Sequence, residues 1–499
     1  MYIMSADNCK NVDKYAIEQL EIPSIILMEN AANEVYLKIK DKYSKFIIIC
    51  GTGNNGGDGL AIGRKLLLND KDVKFILISP KENYSVDFTI NLNILMKLNA
   101  DITYIKENND INKLQELIKD CDVLIDAIFG VGINRPLNEF YNDVIKAINL
   151  SKKEVISIDV PSGLDCNTGL ELGNVVKSNI TYTFEVIKKG FINYKSFKYI
   201  GNLEVIPIGI PEIAKDINSE KIYIMKEDDY KKLIIKRKLY GHKGDYGKAS
   251  IFAGSLGFTG AAYITTEACV KTGSGLTTLI IPDECEIILA SKLIEAMTLS
   301  YSQKDKILKK IKESNIIAFG PGISSSLESE ELLKWIGENT SCTIVVDAEG
   351  INILSKRRDI LNNLKGRLVL TPHPGEMSRL INKSIEYIES NRIEVTRKYA
   401  KDNECIVLLK GYNTVVSDGE SVFINNTGNS KMATGGMGDC LTGIITSLIG
   451  QGYEKFTAVL LGAYIHGKCG DIESDKKYSV LATDVINNIP FIMNKLILS

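Results

Sequence analysis

Two stretches of this 499-residue chain set glycine beside carboxylates in a way suited to a phosphorylated ligand. The first, GTGNNGGDG, places Gly51, Gly53, Gly56, Gly57 and Gly59 around Asn54, Asn55 and Asp58, directly behind the apolar run 45–50. Glycine lets a backbone approach a ligand closely, and free amides at a helix N-terminus attract anions. No acidic residue ends the second strand in the expected way and the Walker loop GxxxxGK[ST] is absent, so a standard dinucleotide fingerprint is only weakly supported. Two further apolar runs end in Asp126 and Asp159. In an open α/β sheet such strand ends converge on the ligand. Asn55, Asp126 and Ser162 offer oxygens suited to a hard cation, and Gly130, Gly132 and 161–163 leave room beside them. A single Asp after a strand is often a turn former; three such loops together favour a pocket.

The second stretch, ATGGMGDCLTG, carries Gly435, Gly436 and Gly438 ahead of Asp439. Leu441, Ile444, Ile445 and Leu448 then recur at helical spacing. Glycines at a helix start make an anion hole, and a carboxylate there can take a proton from a substrate hydroxyl, which is the arrangement of phosphoryl transfer. Upstream lie Gly320-Pro321-Gly322, Asp347 behind VVD, His373 between Pro372 and Pro374, and Lys410 behind IVLL. Lys410 can set a point charge on a phosphate, and Asp347 can serve Mg²⁺ or substrate. Each has a plainer reading: a cap for Asp347 or Asp439, a core histidine for His373, a solvated lysine for Lys410.

The elements that must position these groups are legible as alternating strands and helices. Strand-like runs at 45–50, 73–78, 122–128, 155–160, 179–185 and 203–210 leave room for helices between them, which predicts a parallel sheet covered on both faces. A polar, charged stretch at 211–243 reads as a connection near 212–230. A second series follows at 248–253, 276–281, 315–319, 343–346, 367–370 and 406–409. Length alone allows two or three domains. The 60 basic residues nearly balance 62 acidic ones, for a net charge of -2. That supplies no broad field for nucleic acid. No apolar run has membrane-span length, and the first residues lack a secretory leader's pattern. The ten cysteines form no CxxC pair, so they read as reduced core residues of a cytoplasmic protein.

GTGNNGGDG, DAIFGVGINRP and DVPSGLD resemble the three motifs of the NAD(P)H-hydrate epimerase domain. The resemblance spans roughly residues 1–215. It implies that Asn54, Asn55, Gly56, Gly57 and Asp58 bind the hydrated cofactor, with Gly130, Val131, Gly132, Ile133, Asn134, Arg135, Pro136 and Asp159. It also implies a potassium ion on Asn55, Asp126 and Ser162. Asp159 is the expected acid–base group, because inverting the hydrated carbon needs proton exchange. From 222 to 499, GHKGDYGKASIFAG, TPHPGE and TGGMGDCLTG resemble the ribokinase-like NAD(P)H-hydrate dehydratase family. Here the resemblance implies substrate contacts at Ala261, Gly322, His373 and Asp439, and an adenine-nucleotide site at Lys410, Gly411, Tyr412, Asn413, Thr414 and Gly438. The expected architecture is therefore α/β in two domains: a Rossmann-like three-layer sandwich followed by a ribokinase-like domain.

The implied activity is nicotinamide-nucleotide repair: epimerising the R and S forms of NADHX and NADPHX, then dehydrating the S form. Phosphorylating the ring hydroxyl makes a better leaving group, with Asp439 as base and Mg²⁺ and Lys410 on the phosphate. The donor is expected to be ADP, giving AMP and phosphate, with ATP left open by the residues. A homo-oligomer with no nucleic-acid or membrane partner is expected. The competing reading is a vitamin-precursor kinase fused to a non-catalytic nucleotide-binding module.

Overall fold

Alternate residues of a strand face opposite sides, so a run such as FIIIC can feed two cores at once. In the computed structural model, which describes residues 1–78 and 84–498, Phe46, Ile48 and Cys50 enter one apolar cluster while Ile47 and Ile49 enter another. The chain divides into two compact units, Met1–Glu220 and Lys221–Ser499.

The first unit is built on seven parallel strands. Their spatial order is Asp101–Ile105, Asp72–Ile78, Lys45–Cys50, Val123–Ala127, Glu154–Ile158, Ile180–Phe184 and Asn202–Ile206. The order reverses direction between Lys45–Cys50 and Val123–Ala127. A crevice opens at that reversal, outside the strands' carboxyl ends, where GTGNNGGDG and Asp126 lie. Helix Asn54–Leu67 follows at once. A separate two-residue strand, Ile3–Met4, pairs with Ile187–Lys188.

The second unit is a ten-stranded sheet in the order Ile222–Ile224, Val422–Asn425, Thr414–Ser417, Ile406–Leu409, Leu368–Leu370, Thr343–Val346, Ile316–Phe319, Lys248–Phe252, Leu276–Ile281 and Met297–Ser300. Thr414–Ser417 runs antiparallel to both neighbours; every other pairing is parallel. The reversal here lies between Lys248–Phe252 and Ile316–Phe319. The Gly254 amide donates to the Pro321 carbonyl across it at 2.8 Å.

The stretch expected to be a plain connection is structured. It carries helix Glu212–Asn218, strand Ile222–Ile224 and helix Glu227–Leu233, and the strand caps one edge of the second sheet against Val422–Asn425. Three residues are too few to show a period among flanking charges. Asp101–Ile105, Met297–Ser300, Thr414–Ser417 and Val422–Asn425 also lie outside the predicted runs. The first two are edge strands, partly exposed and less apolar than the centre. All ten cysteines are free, nine of them buried. Among the described residues no helix is long and apolar enough to cross a membrane.

Helix Met437–Gly450, which begins at the second glycine loop, crosses helix Thr259–Lys271 closely. At Gly443 a Cβ would stand 2.2 Å from the Thr265 carbonyl oxygen. Gly443→Ala must therefore push the helices apart. It is expected to destabilise the second unit by about 1–3 kcal/mol, the usual range for overpacking, read as a lower urea midpoint.

Candidate active sites

The first crevice is a cavity of about 820 Å³, within the range of cofactor-sized sites. Asn54, Asn55, Asp58, residues 130–136 and Asp159 line it, as do Lys10, Asp13 and Lys188. Helix Asn54–Leu67 starts behind Gly53 without a side-chain cap, so its first amides stay available to a ligand. Gly56 and Gly57 do not line the cavity. Their missing Cβ atoms would collide with the Gly51 carbonyl and Met28 Cε, so they let the helix start pack tightly behind the loop.

Asp126 and Ser162 lie beneath the wall, 1% and 0% exposed. Ser162 Oγ donates to Asp126 Oδ1 at 2.6 Å, and the Ser162 amide and Ser157 hydroxyl donate to Oδ2 at 2.9 and 2.8 Å. Burial raises the Asp126 carboxyl from its usual range, opposed by these hydrogen bonds. Asn55 Oδ1 and Nδ2 are buried with no hydrogen-bond partner, although such orphans are rare. A buried oxygen without a donor suits a cation.

Asp159 takes φ 64° at its strand end, a left-handed conformation that Asp tolerates better than most residues. Lys188, which no sequence motif pointed to, sits 2.7 Å from Asp159 Oδ1. Burial, then the nearby Asp159, Asp13 and Asp87 charges, push the Asp58 carboxyl well above its ordinary value. Asp13 is pushed up to about 6 by burial first, with Lys188 opposing.

In the second unit the separated motifs meet at the reversal. Lys410 Nζ lies 2.7 Å from Asp347 Oδ1, and Thr442 Oγ1 donates to Oδ2 at 2.8 Å. A Cβ on Gly438 would come within 3.2 Å of Lys410 Nζ, so the helix start rests directly on the lysine. Asp439, in the first turn of that helix, is pushed up to about 6 by burial first and by Asp347, with Lys410 opposing. His373 is exposed; its Nδ1 accepts from the Gly375 amide at 3.0 Å, capping helix Pro374–Ile381. Burial, then Lys410 and Arg379, lower its pKa. Ala261 packs against Gly322, where a Cβ would lie 2.8 Å from the alanine's own.

Two contributors escaped the sequence reading. Glu376, 4% exposed, stands 3.4 Å from His373 Nε2 and 3.9 Å from Lys410, and burial chiefly raises it to about 7. It was visible in TPHPGE, as the acid three residues after a cap. Arg392 lies 18 residues before Lys410 and no local pattern marks it. Its buried guanidinium donates to the Leu409 and Lys410 carbonyls at 3.0 and 3.1 Å and contacts Glu389 at 3.3 Å. It holds the turn at Gly411. Tyr412 is exposed, Asn413 is buried at φ 54°, and Thr414 Oγ1 donates back to the Gly411 carbonyl at 2.9 Å.

Family models described as YjeF-related protein N-terminus and NAD(P)H-hydrate dehydratase match residues 24–190 and 249–491. A bifunctional NAD(P)H-hydrate repair enzyme of Moorella thermoacetica is 34% identical over 99% of this chain and 97% of its own. One of Thermofilum pendens is 32% identical over 96% and 93%. Among solved structures, a ribokinase-like superfamily protein of Enterococcus faecalis matches 55% of this chain and 96% of its own, at 25% identity and TM-score 0.52. A Streptococcus mutans protein matches 55% and 100%, at 28% identity and TM-score 0.52.

Arg392→Met would leave one buried and one half-buried carbonyl without this donor. The expected loss is about 1.5–3 kcal/mol, as for hydrogen bonds to a charged group, read as a lower melting temperature.

Proposed function

The chain belongs to the family of bifunctional NAD(P)H-hydrate repair enzymes, and from that premise we propose how its two crevices divide the reaction. The N-terminal cavity interconverts the R and S hydrates of NADH and NADPH, and the C-terminal crevice dehydrates the S form with ADP, releasing AMP and phosphate. The observation that carries this reading is one carboxylate in each of two separate crevices. Asp159 faces a cavity of cofactor size; Asp439 stands in the first turn of a helix whose Gly438 rests on the half-buried Lys410. The competing reading, a vitamin-precursor kinase with an inert N-terminal module, lacks support from relatives that match nearly the whole chain under the repair name.

In the first site, residues 130–136 and the start of helix Asn54–Leu67 bind the nucleotide, and Asp159 holds or accepts the proton exchanged at the hydrated carbon. Asn55, Asp126 and Ser162 would hold K⁺, with the orphaned Asn55 oxygen as the free ligand. Bound there, the ion supplies fixed positive charge beneath the ligand.

In the second site Asp439 takes the proton of the ring hydroxyl, and Lys410 and the helix amides neutralise the donor's phosphates. Lys410 to Thr414 and Gly438 border the adenine nucleotide; Ala261, Gly322 and His373 border the substrate. Among the described residues no cluster of three or more His, Cys, Asp or Glu side chains is arranged for a metal. Mg²⁺ would thus arrive on the nucleotide's phosphates, with carboxylate help from this crevice. We place the protein in the cytoplasm as a homo-oligomer: its cysteines are free, and Ile287 and Ile294 offer exposed apolar surface.

With mixed NADHX epimers and ADP, the wild-type chain should return all of the reduced-nicotinamide absorbance. Asp439→Asn should return none while the epimers still equilibrate, and Asp159→Ala should repair only the S share at enzymatic rate. Dehydration that survived Asp439→Asn would sink the base assignment. A base acts ionised, so dehydration should fall as pH drops through about 6, the raised value of Asp439. Replacing Lys410 by Met removes the opposing charge and should move that fall to higher pH. Separately, KCl should raise the melting temperature more than choline chloride does, and Asn55→Ala should abolish the difference.

A further inference from the structure

The first cavity contains a cation whose surroundings go beyond charge balance. Lys188 is 2% exposed, and its ammonium donates to the carbonyls of Phe184 at 3.0 Å and Val186 at 3.5 Å as well as meeting Asp159 Oδ1 at 2.7 Å. Those three acceptors occupy all three protons of a lysine ammonium. The backbone beneath it is held too: Lys188 pairs with Met4, and the Ile187 amide donates to the Tyr2 carbonyl at 3.1 Å.

The consequence falls on Asp159. Its Oδ1 is taken by Lys188, with Thr183 Oγ1 at 3.4 Å and the Phe184 amide at 3.5 Å behind it. Its Oδ2 faces the other way. A Cβ placed on Gly130 would lie 3.0 Å from Oδ2 and 3.4 Å from Asn55 Cβ, so Oδ2 points along the cavity wall formed by Gly130 and Asn55. Asp13, Asp58 and Glu185 surround the pair with further acids. The ammonium is the opposite charge in direct contact with the carboxylate.

We propose that Lys188 is the positioning residue of the epimerase site: it clamps Oδ1 of Asp159 so that Oδ2 alone is presented to the hydrated carbon. It is not the proton donor, because its own protons are committed. The inference rests on the epimerase reading of this cavity.

The test uses the full chain carrying Lys188→Met, which keeps the length of the side chain, and Lys188→Ala, which opens space for an added amine. Epimer interconversion is followed by chromatography; the rise in melting temperature with KCl over choline chloride checks that the first unit is folded, and dehydration of the S form checks the second. Lys188→Met should lower kcat for epimerisation about 100-fold, the scale of a misplaced acid–base group. KM should change less than about threefold, since only the reacting geometry is lost, and dehydration should be unchanged. Methylammonium or ethylammonium should restore part of the Lys188→Ala activity with saturation, and sodium at equal concentration should not. Full epimerisation by Lys188→Met, a rise in KM with kcat held, or absence of amine rescue would overturn the positioning role. Absence of catalysed epimerisation in the wild-type chain would instead overturn the epimerase reading itself, and full epimerisation by Asp159→Ala would overturn Asp159 as its acid–base group.

Discussion

Each site is organised around a lysine set against a buried aspartate at a strand's carboxyl end. Lys188 meets Asp159, and Lys410 meets Asp347, both at 2.7 Å. A lone ammonium at such depth would cost several kcal/mol of lost hydration, which the pair offsets only when hydrogen bonds satisfy the remaining protons and lone pairs. The Lys188 pair meets that condition through the Phe184 and Val186 carbonyls; in the other pair Thr442 satisfies the Asp347 carboxylate, while Lys410 keeps 20% of its side chain exposed. In both lysines burial works to lower the pKa and the neighbouring carboxylates reverse it, so each stays charged. Everything else at the strand ends, from the glycine loops to the capped turns, is arranged around a charge that cannot move without leaving its partner exposed to apolar surroundings.

That constraint explains why the glycines fall where they do. A helix start can rest on a buried ammonium only if no side chain intervenes, as at Gly438, where a Cβ would approach Lys410 Nζ to 3.2 Å. The residue ahead of the same helix, Gly436, takes φ 90° and lies so near Ile264 that a Cβ would stand 2.6 Å from its Cδ1. Two different demands, a left-handed backbone and a close approach, coincide in one loop. The first unit meets the demand differently, sinking Gly56 and Gly57 into packing and leaving Asn54 and Asn55 to face the ligand.

The chemistry-bearing loops were legible because each follows a strongly apolar central strand and carries its glycines contiguously. Central strands such as Lys45–Cys50 are buried on both faces, so their composition announces them. What stayed hidden depends on contacts distant in sequence. Lys188 is fixed by pairing with Met4, 184 residues away along the chain, in a strand of two residues that no periodicity can mark. Arg392 is held by carbonyls of a strand that follows it in the chain. The edge strand Ile222–Ile224 looked like linker because an edge needs little apolar surface. His373 illustrates the opposite case: its flanking prolines pointed to a site role, and in the structure the ring is exposed and its Nδ1 is spent capping a helix.

The raised carboxylate of Asp439 bears on why a kinase-like scaffold suits dehydration. A base of ordinary carboxylate strength is too weak to draw a proton from an alcohol efficiently near neutral pH, and a base matched to the working pH does better. Burial and the Asp347 charge move Asp439 toward that range, while Lys410 keeps it from rising so far that it would be protonated when needed. In the proposed mechanism the lysine is therefore a compromise: it would neutralise phosphate charge, and it limits the rise of the carboxylate beside it. A stereospecific reaction at this crevice consumes one hydrate and strands the other. On the proposed assignment, a chain that also carries the Asp159 cavity returns the stranded epimer to the form that is dehydrated. Each unit keeps its own apolar core.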